Sequence, residues 1–396
     1  MNFVVVSPQF PSTYYKFALA LAKNGLTVLG IGDTPYDQLA PEVKASLKEY
    51  YFCPNMNDYE AMFKAAAFFS FKYGKIDWIE SHNEWWLLSD AKLRVDFNVK
   101  TGIQYPDVMR YKAKSLMKEY YRAAGVPTAR YQIVDDLAGC RAFIEKVGYP
   151  VFVKPNVGVG SNNSYRIANE DELLRFMSVP HEESYIMEEF IEGTIVSYDG
   201  VADGKSDVVY EASNVFPIPN YLVVNQLSDD FYYTVMEVPG DLSDYGRRVI
   251  KAFGVQNRIF HLEFFRLGKD YPHLGKAGEL LGLEVNMRPA GGFTPEMISS
   301  ARGQSLYQAW ADVIAYGEIK DKGAYPHHFV AAPARRNGIA YVHSHEEVLK
   351  DYETSLFRYG PYPPIISVGM GDYYYMAKLS SLEEVDRFIK FVLERR

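Results

Sequence analysis

The chain has 396 residues, 48% hydrophobic and 23% charged, ordinary proportions for a globular protein and length enough for two to four structural units. A formal charge of −8, with no lysine- or arginine-rich block or tail, speaks against nucleic acid and anionic membrane as partners. The start, Met1-Asn2-Phe3-Val4-Val5-Val6, has no positive n-region, and the most apolar stretch, 65–71, is far too short to span a bilayer. Two cysteines, Cys53 and Cys140, show no metal-knot spacing, so a reduced cytoplasmic setting is the expectation.

In chain order, 3–6 is a short β-branched run, 14–23 has helical apolar spacing, and 27–31 reads as a second strand ending near Gly32. Asn57 and Glu60 form a capping-box pattern before another helix, and 76–80 reads as a strand. This alternation implies a parallel sheet with helices on both faces. The loop after the first strand, Ser7-Pro8-Gln9-Phe10-Pro11, lacks the glycines that close approach to a pyrophosphate needs, so no dinucleotide is expected there.

From 109 to 124, Leu116, Met117, Tyr120, Tyr121 and Ala124 recur at three- and four-residue spacing, which predicts one amphipathic helix stopped by Gly125-Val126-Pro127. A strand near 129–134, a helix near 137–147, a strand at 151–154 and a helix capped by Asn169-x-x-Glu172 follow. The span 185–265 is mostly β, with a hairpin turning at Asp203-Gly204 and a helix near 242–253. The end holds two short helices behind Ser344-x-x-Glu347 and Ser381-x-x-Glu384, around a β region rich in proline and tyrosine.

Four segments carry chemistry. Lys154-Pro155-Asn156-Val157-Gly158-Val159-Gly160-Ser161 follows a buried strand; its small residues let backbone N–H groups curl around phosphate oxygens beside a fixed positive charge. A glycine-rich hairpin with an incidental lysine gives the same string. In Leu283-Glu284-Val285-Asn286-Met287-Arg288-Pro289, strand alternation puts Glu284, Asn286 and Arg288 on one face and Leu283, Val285 and Met287 on the core side. Carboxylate and amide oxygens suit Mg²⁺, and a guanidinium beyond them suits a transferring phosphoryl group; the alternative is an exposed polar edge strand, which rarely carries these groups in this order. In Phe260-His261-Leu262-Glu263-Phe264-Phe265, Glu263 is either solvated or held for a cation, and it pairs with Glu284 for two metal ions if the two strands are neighbours. His261 itself reads as a hydrogen-bonded structural residue. The fourth segment, Tyr185-Ile186-Met187-Glu188-Glu189-Phe190-Ile191-Glu192-Gly193, is an acidic strand running into a turn.

These four segments, in this order, resemble the ATP-grasp superfamily, carboxylate–amine ligase type, over about 105–304. The resemblance implies an α/β protein with an N-terminal Rossmann-like domain (1–104) and an ATP-grasp N-terminal subdomain with a glycine-rich lid (105–184). It further implies a C-terminal subdomain with the metal site (185–325) and a small α+β region (326–396). It implies ATP contacts at Lys112, Lys154, Gly158, Gly160, Ser161, Glu188, Glu189 and Ile191, and metal ligands Glu263, Glu284 and Asn286. Arg288, with Lys154 and Lys112, becomes the catalytic set. The family's ribose-holding glutamate is replaced by Ile195, leaving Asp199 as a substitute, and the long 263–284 interval suggests an extended hairpin.

The activity so implied joins a carboxylate, an amino acid or peptide-like acid, to an amine through an acyl phosphate, using ATP and two Mg²⁺ ions, with Mn²⁺ as a substitute. Gly291 and Gly292 either present N–H groups to a substrate carboxylate or merely turn the chain. Glu80, His82, Asn83 and Glu84 either bind ligand past a strand end or form a solvated loop; Glu84 is kept as a substrate contact. The segment 216–221 either lines the acceptor pocket or is a proline-ordered surface loop. Partners are then small molecules, with a homodimer implied by resemblance alone. The alternatives are a carboxylase or formyl transferase acting on a small purine-pathway metabolite, and a non-catalytic nucleotide sensor.

Overall fold

The computed structural model describes residues 1–158, 163–218 and 229–396. Among them, strands form three sheets. The first is parallel, in order β3-β2-β1-β4, from β1 (Asn2–Val6), β2 (Thr27–Gly32), β3 (Glu49–Phe52) and β4 (Trp78–Glu80). The second runs β5-β8-β6-β7, antiparallel, from β5 (Tyr131–Ile133), β6 (Val151–Pro155), β7 (Tyr165–Ile167) and β8 (Tyr185–Glu189).

The third sheet begins with β9 (Gly193–Ala202), β10 (Val208–Phe216), β11 (Tyr233–Thr234), β12 (Arg258–Leu267) and β13 (Leu280–Asn286), in order β13-β12-β9-β10-β11. The C-terminal strands β14 (Phe329–Ala331), β15 (Ala334–Arg335), β16 (Leu356–Pro361) and β17 (Tyr373–Leu379) continue it. This is a mixed α/β architecture with a parallel first sheet, as the alternation of strand and helix implied. The β9–β10 hairpin turns at Asp203, whose carboxylate accepts from the N–H of Lys205 and Asp207. No helix among the described residues is long and apolar enough to cross a membrane.

Two expectations are corrected by local chemistry. The helix Tyr59–Tyr73 is capped by Asp58, whose side chain accepts from the Glu60 N–H, so Asn57 is not the cap. The stretch 109–124 is two elements: a 3-10 turn, Tyr105–Tyr111, and α5, Lys114–Ala123. Ala113 bridges Val157, and the Lys114 and Ser115 N–H groups donate to the Asn156 carbonyl and side chain. The loop after β6 therefore caps α5 and sets where it starts.

The first sheet docks on the third through the helices Tyr15–Lys23 and Leu306–Tyr316, with Phe3, Phe17 and Trp310 in one apolar cluster beside Val201, Tyr210 and Ile259. A buried ion cluster ties the same seam: Arg94 (3.2 Å) and Arg258 both hold the Glu80 carboxylate. Burial would raise Glu80, but the two arginines hold it down at about 2. Glu80 is thus structural, and His82 is packed among Phe17 and Trp310, where burial pushes its imidazole down to about 3.

Candidate active site

The second and third sheets face each other across a cavity of about 320 Å³. On β6, Val151 and Val153 enter the small sheet's core while Phe152 and Lys154 point into the cavity, the two-residue alternation of a strand. Glu188 on β8 pairs in register with Phe152 and lines the same wall. Across the cavity stand Glu263 and Phe265 from β12, with Leu262 and Phe264 turned into the core. Leu283 and Glu284 from β13 complete that wall. Leu283 was expected on the core side. A register shift between Glu263 and Phe264 places Glu284 opposite Glu263 and Gly282 opposite Phe264, so Leu283 bulges into the cavity wall.

Charge on the small-sheet wall is paired. Lys118 (2.8 Å) and Lys154 (3.0 Å) both meet Glu188. Burial would raise Glu188, yet the two lysines hold its carboxyl at about 2. Burial lowers Lys118; it acts on Lys154 too, but there Glu188 and Glu284 outweigh it and raise the ammonium's pKa. Glu189 turns the other way, held by Arg130 (2.9 Å) and His273 (2.9 Å), and its N–H donates to the Arg130 carbonyl at 3.0 Å. Beyond it, no hydrogen bond reaches the N–H or C=O of Ile191 among the described residues.

On the opposite wall Glu263 and Glu284 are direct cross-strand partners. Tyr121 of α5 donates its hydroxyl to the backbone carbonyls of both, at 3.2 and 2.9 Å, which fixes the spacing of the two carboxylate-bearing residues. Gly282 makes this approach possible, because a Cβ there would lie 2.5 Å from the Tyr121 ring. Glu284 Oε1 lies 3.5 Å from Lys114, and Glu263 Oε1 lies 3.1 Å from His261 Nε2. Burial would raise Glu263, but His261 lowers it; burial would lower His261, but Asp199 and Glu263 hold it up at about 9. The described residues gather no trio of His, Cys, Asp or Glu at metal-ligand spacing. Two carboxylates and the Asn286 amide are nevertheless a hard-oxygen set, each glutamate keeping one oxygen without a partner among the described residues, and Mg²⁺ takes few protein ligands when phosphate oxygens supply the rest. The residues fit that ion.

Arg288 lies past the end of β13 and donates to the Asn286 side chain (3.2 Å) and the Pro289 carbonyl (2.9 Å). Glu84, from the loop after β4, reaches it at 3.4 Å, and burial raises the Glu84 carboxyl. Lys112 donates to the Glu84 carbonyl at 3.1 Å, with burial lowering its ammonium. Gly292 has φ +61°, and a Cβ there would meet Met370 at 2.6 Å; the Gly291 carbonyl accepts from Thr294.

The structure thus brings Lys154, Glu188, Glu263 and Glu284 to one cavity, and Arg288, Glu84 and Lys112 to a second cluster beside it. Lys114, not Lys112, is the lysine of this helix start that lines the cavity; its Nζ also meets the Gly158 carbonyl at 3.3 Å. Sequence reasoning missed Lys114 and Lys118, although their i, i+4 spacing once α5 starts at Lys114 puts both on one face. Ile195 lines the cavity, but Asp199 does not substitute there: its carboxylate is buried against His261, Ser197 and Asn214. Gly160, Ser161 and 219–221 lie outside the described residues.

Residues 110–214 match the family described as carbamoyl-phosphate synthase L chain, ATP binding domain. The chain is 26% identical over 260 residues to the L-arginine-specific L-amino acid ligase of Bacillus subtilis, covering 62% of this chain and 59% of that protein. It is 28% identical over 186 residues to a D-alanine–D-alanine ligase of a Marinomonas species, covering 44% of this chain and 55% of that one. The chain therefore spans a little over half the length of these relatives. In structure it is similar to an L-amino acid ligase from Bacillus licheniformis, with TM-score 0.72, 17% identity and coverage of 98% and 96%. Sheet order, cavity and these likenesses define the class of fold: the chain has the ATP-grasp fold.

Proposed function

We propose that the chain is an ATP- and Mg²⁺-dependent ligase that activates a carboxylate as an acyl phosphate and couples it to an amine, releasing ADP and phosphate. The observation that carries this reading is the cross-strand pair Glu263–Glu284, set between the cavity lysines and Arg288. The relatives named as amino acid ligases support an amino acid as one substrate.

In this reading the apolar walls Phe152, Ile191, Phe265 and Leu283 clasp the base, and the open N–H and C=O of Ile191 meet its polar edge. Glu192 also lines the cavity and would take the ribose hydroxyls. Lys154 and Lys114 would meet phosphate oxygens, Lys114 giving up its contact with Glu284 to do so. Glu263, Glu284 and Asn286 would hold Mg²⁺, one or two ions with Mn²⁺ as a substitute, whose charge would relieve the repulsion between an attacking carboxylate and the γ-phosphate.

Arg288 and Lys112 then stand beside the new acyl phosphate. Arg288 stabilises the oxyanion of the tetrahedral intermediate, a contribution of about a hundred- to thousand-fold in such sites. Glu84, released from Arg288, faces the incoming amine, and the Gly291–Gly292 turn offers backbone N–H groups to a substrate carboxylate. A homodimer belongs to the same proposal, checked by sedimentation of the full chain. The test is ADP and phosphate formation across pairs of acids and amines; bicarbonate dependence without an amine requirement would instead favour the carboxylase class, whose N5-carboxyaminoimidazole synthetase members share the fold.

A further inference from the structure

Glu263 is the last member of a buried polar chain that crosses four strands. Thr234 on β11 donates its hydroxyl to Asn214 Oδ1 on β10 at 2.6 Å. Asn214 Nδ2 donates to Asp199 Oδ2 (2.9 Å) and Ser197 Oγ (3.1 Å), both on β9, and the Ser197 hydroxyl donates to the same Asp199 oxygen. Asp199 Oδ1 meets His261 Nδ1 on β12 at 2.7 Å, and His261 Nε2 meets Glu263 Oε1 at 3.1 Å. Thr234, Asn214, Ser197, Asp199 and His261 are all buried, at 0, 0, 0, 2 and 4% exposure. His261 also sits in register with Asp199 on one side and Asn286 on the other.

The chain leaves little freedom. Both Asp199 oxygens accept, so the imidazole plane is fixed by Nδ1, and the other ring nitrogen is aimed at one oxygen of Glu263. A glutamate without such an anchor, near Lys154 and Arg288, has cations to fold back on. We propose that His261, anchored by Asp199, is a positioning residue that ties down Glu263 Oε1, leaves Oε2 for the divalent cation of the nucleotide, and so sets how tightly the site takes a metal. This rests on the nucleotide-binding part of the proposed function. Ordering the carboxylate before the ion arrives lowers the entropy lost on binding, and outer partners of ligands are worth about 10- to 100-fold in metal affinity.

The test uses the full chain, Mn²⁺ as the probe cation, and His261→Gln and Asp199→Asn. Free Mn²⁺ is followed by electron paramagnetic resonance in the presence of ADP, ADP affinity is measured separately in EDTA, and melting is recorded for each variant. The expected result is Mn²⁺ affinity lower by about 10- to 100-fold in both variants, with metal-free ADP affinity within twofold of wild type. Wild-type Mn²⁺ affinity in a cooperatively folded His261→Gln, with only the melting temperature reduced, would overturn the proposal and leave the chain a structural strut. Should His261→Gln fail to fold, Asp199→Asn decides by the same two readings. Wild type that binds neither ADP nor Mn²⁺-ADP would sink the nucleotide reading and this inference together; wild type that binds ADP in EDTA but gains nothing from Mn²⁺ would sink this inference alone.

Discussion

Lys112 and Lys114 are two residues apart and serve different clusters: Lys114 meets Glu284 and the base of the glycine-rich loop, whereas Lys112 reaches the Glu84 carbonyl. Lys114→Met is expected to weaken Mg-ADP binding by about 10- to 100-fold, the worth of one charge-assisted hydrogen bond of roughly 1.5–3 kcal/mol. Lys112→Met is expected to lower kcat with a much smaller effect on nucleotide affinity. Calorimetric titration with Mg-ADP separates them; equal losses from both would contradict the placement. The carboxylates were legible in the sequence because strand alternation fixes a face from spacing alone. The lysine was not, because the start of α5 is set by Asn156, forty-odd residues downstream, and no local pattern announces that cap. Asp199 was misread for a similar reason: its partners His261 and Asn214 reach it only through sheet pairing.

At the scale of elements, the β12–β13 hairpin makes the site. The long interval between Glu263 and Glu284 read as an extended hairpin, and the strands pair as antiparallel neighbours. The bulge at Leu283 was not readable, since a shift of register has no signature in an apolar-polar alternation. It has a consequence at Gly282, which lies against the Tyr121 ring. Gly282→Ala is expected to cost about 1–3 kcal/mol by overpacking. It should also lower turnover more than stability alone explains, because Tyr121 holds the backbone of both Glu263 and Glu284. Urea unfolding and phosphate release on one preparation check this; full activity in a destabilised Gly282→Ala would show that Tyr121 does not set the carboxylate spacing.

For the whole molecule, the first sheet is bolted to the third by Glu80, Arg94 and Arg258, and the same seam delivers Glu84 to Arg288. The parallel sheet was legible from its alternation of strand and helix, while the docking of that sheet was not, because the partners of Glu80 lie at 94 and 258. Glu80 is held at about 2, below its unfolded value of 4.5. Its contribution is therefore complete above about pH 4.5 and is lost as pH falls toward 2. Glu80→Gln leaves two buried arginines without their anion and is expected to cost about 3–5 kcal/mol at neutral pH. That difference should shrink on the acid limb of a pH series of unfolding curves; a gap that stays constant down to pH 3 would mean Glu80 is not the charged partner.

The most direct measurement is phosphate release from Mg-ATP across a matrix of amino acids and small carboxylic acids, wild type against Glu284→Gln. Release is expected to require one acid and one amine together and to disappear in Glu284→Gln. Release without any amine, or undiminished release from Glu284→Gln, would contradict the ligase reading.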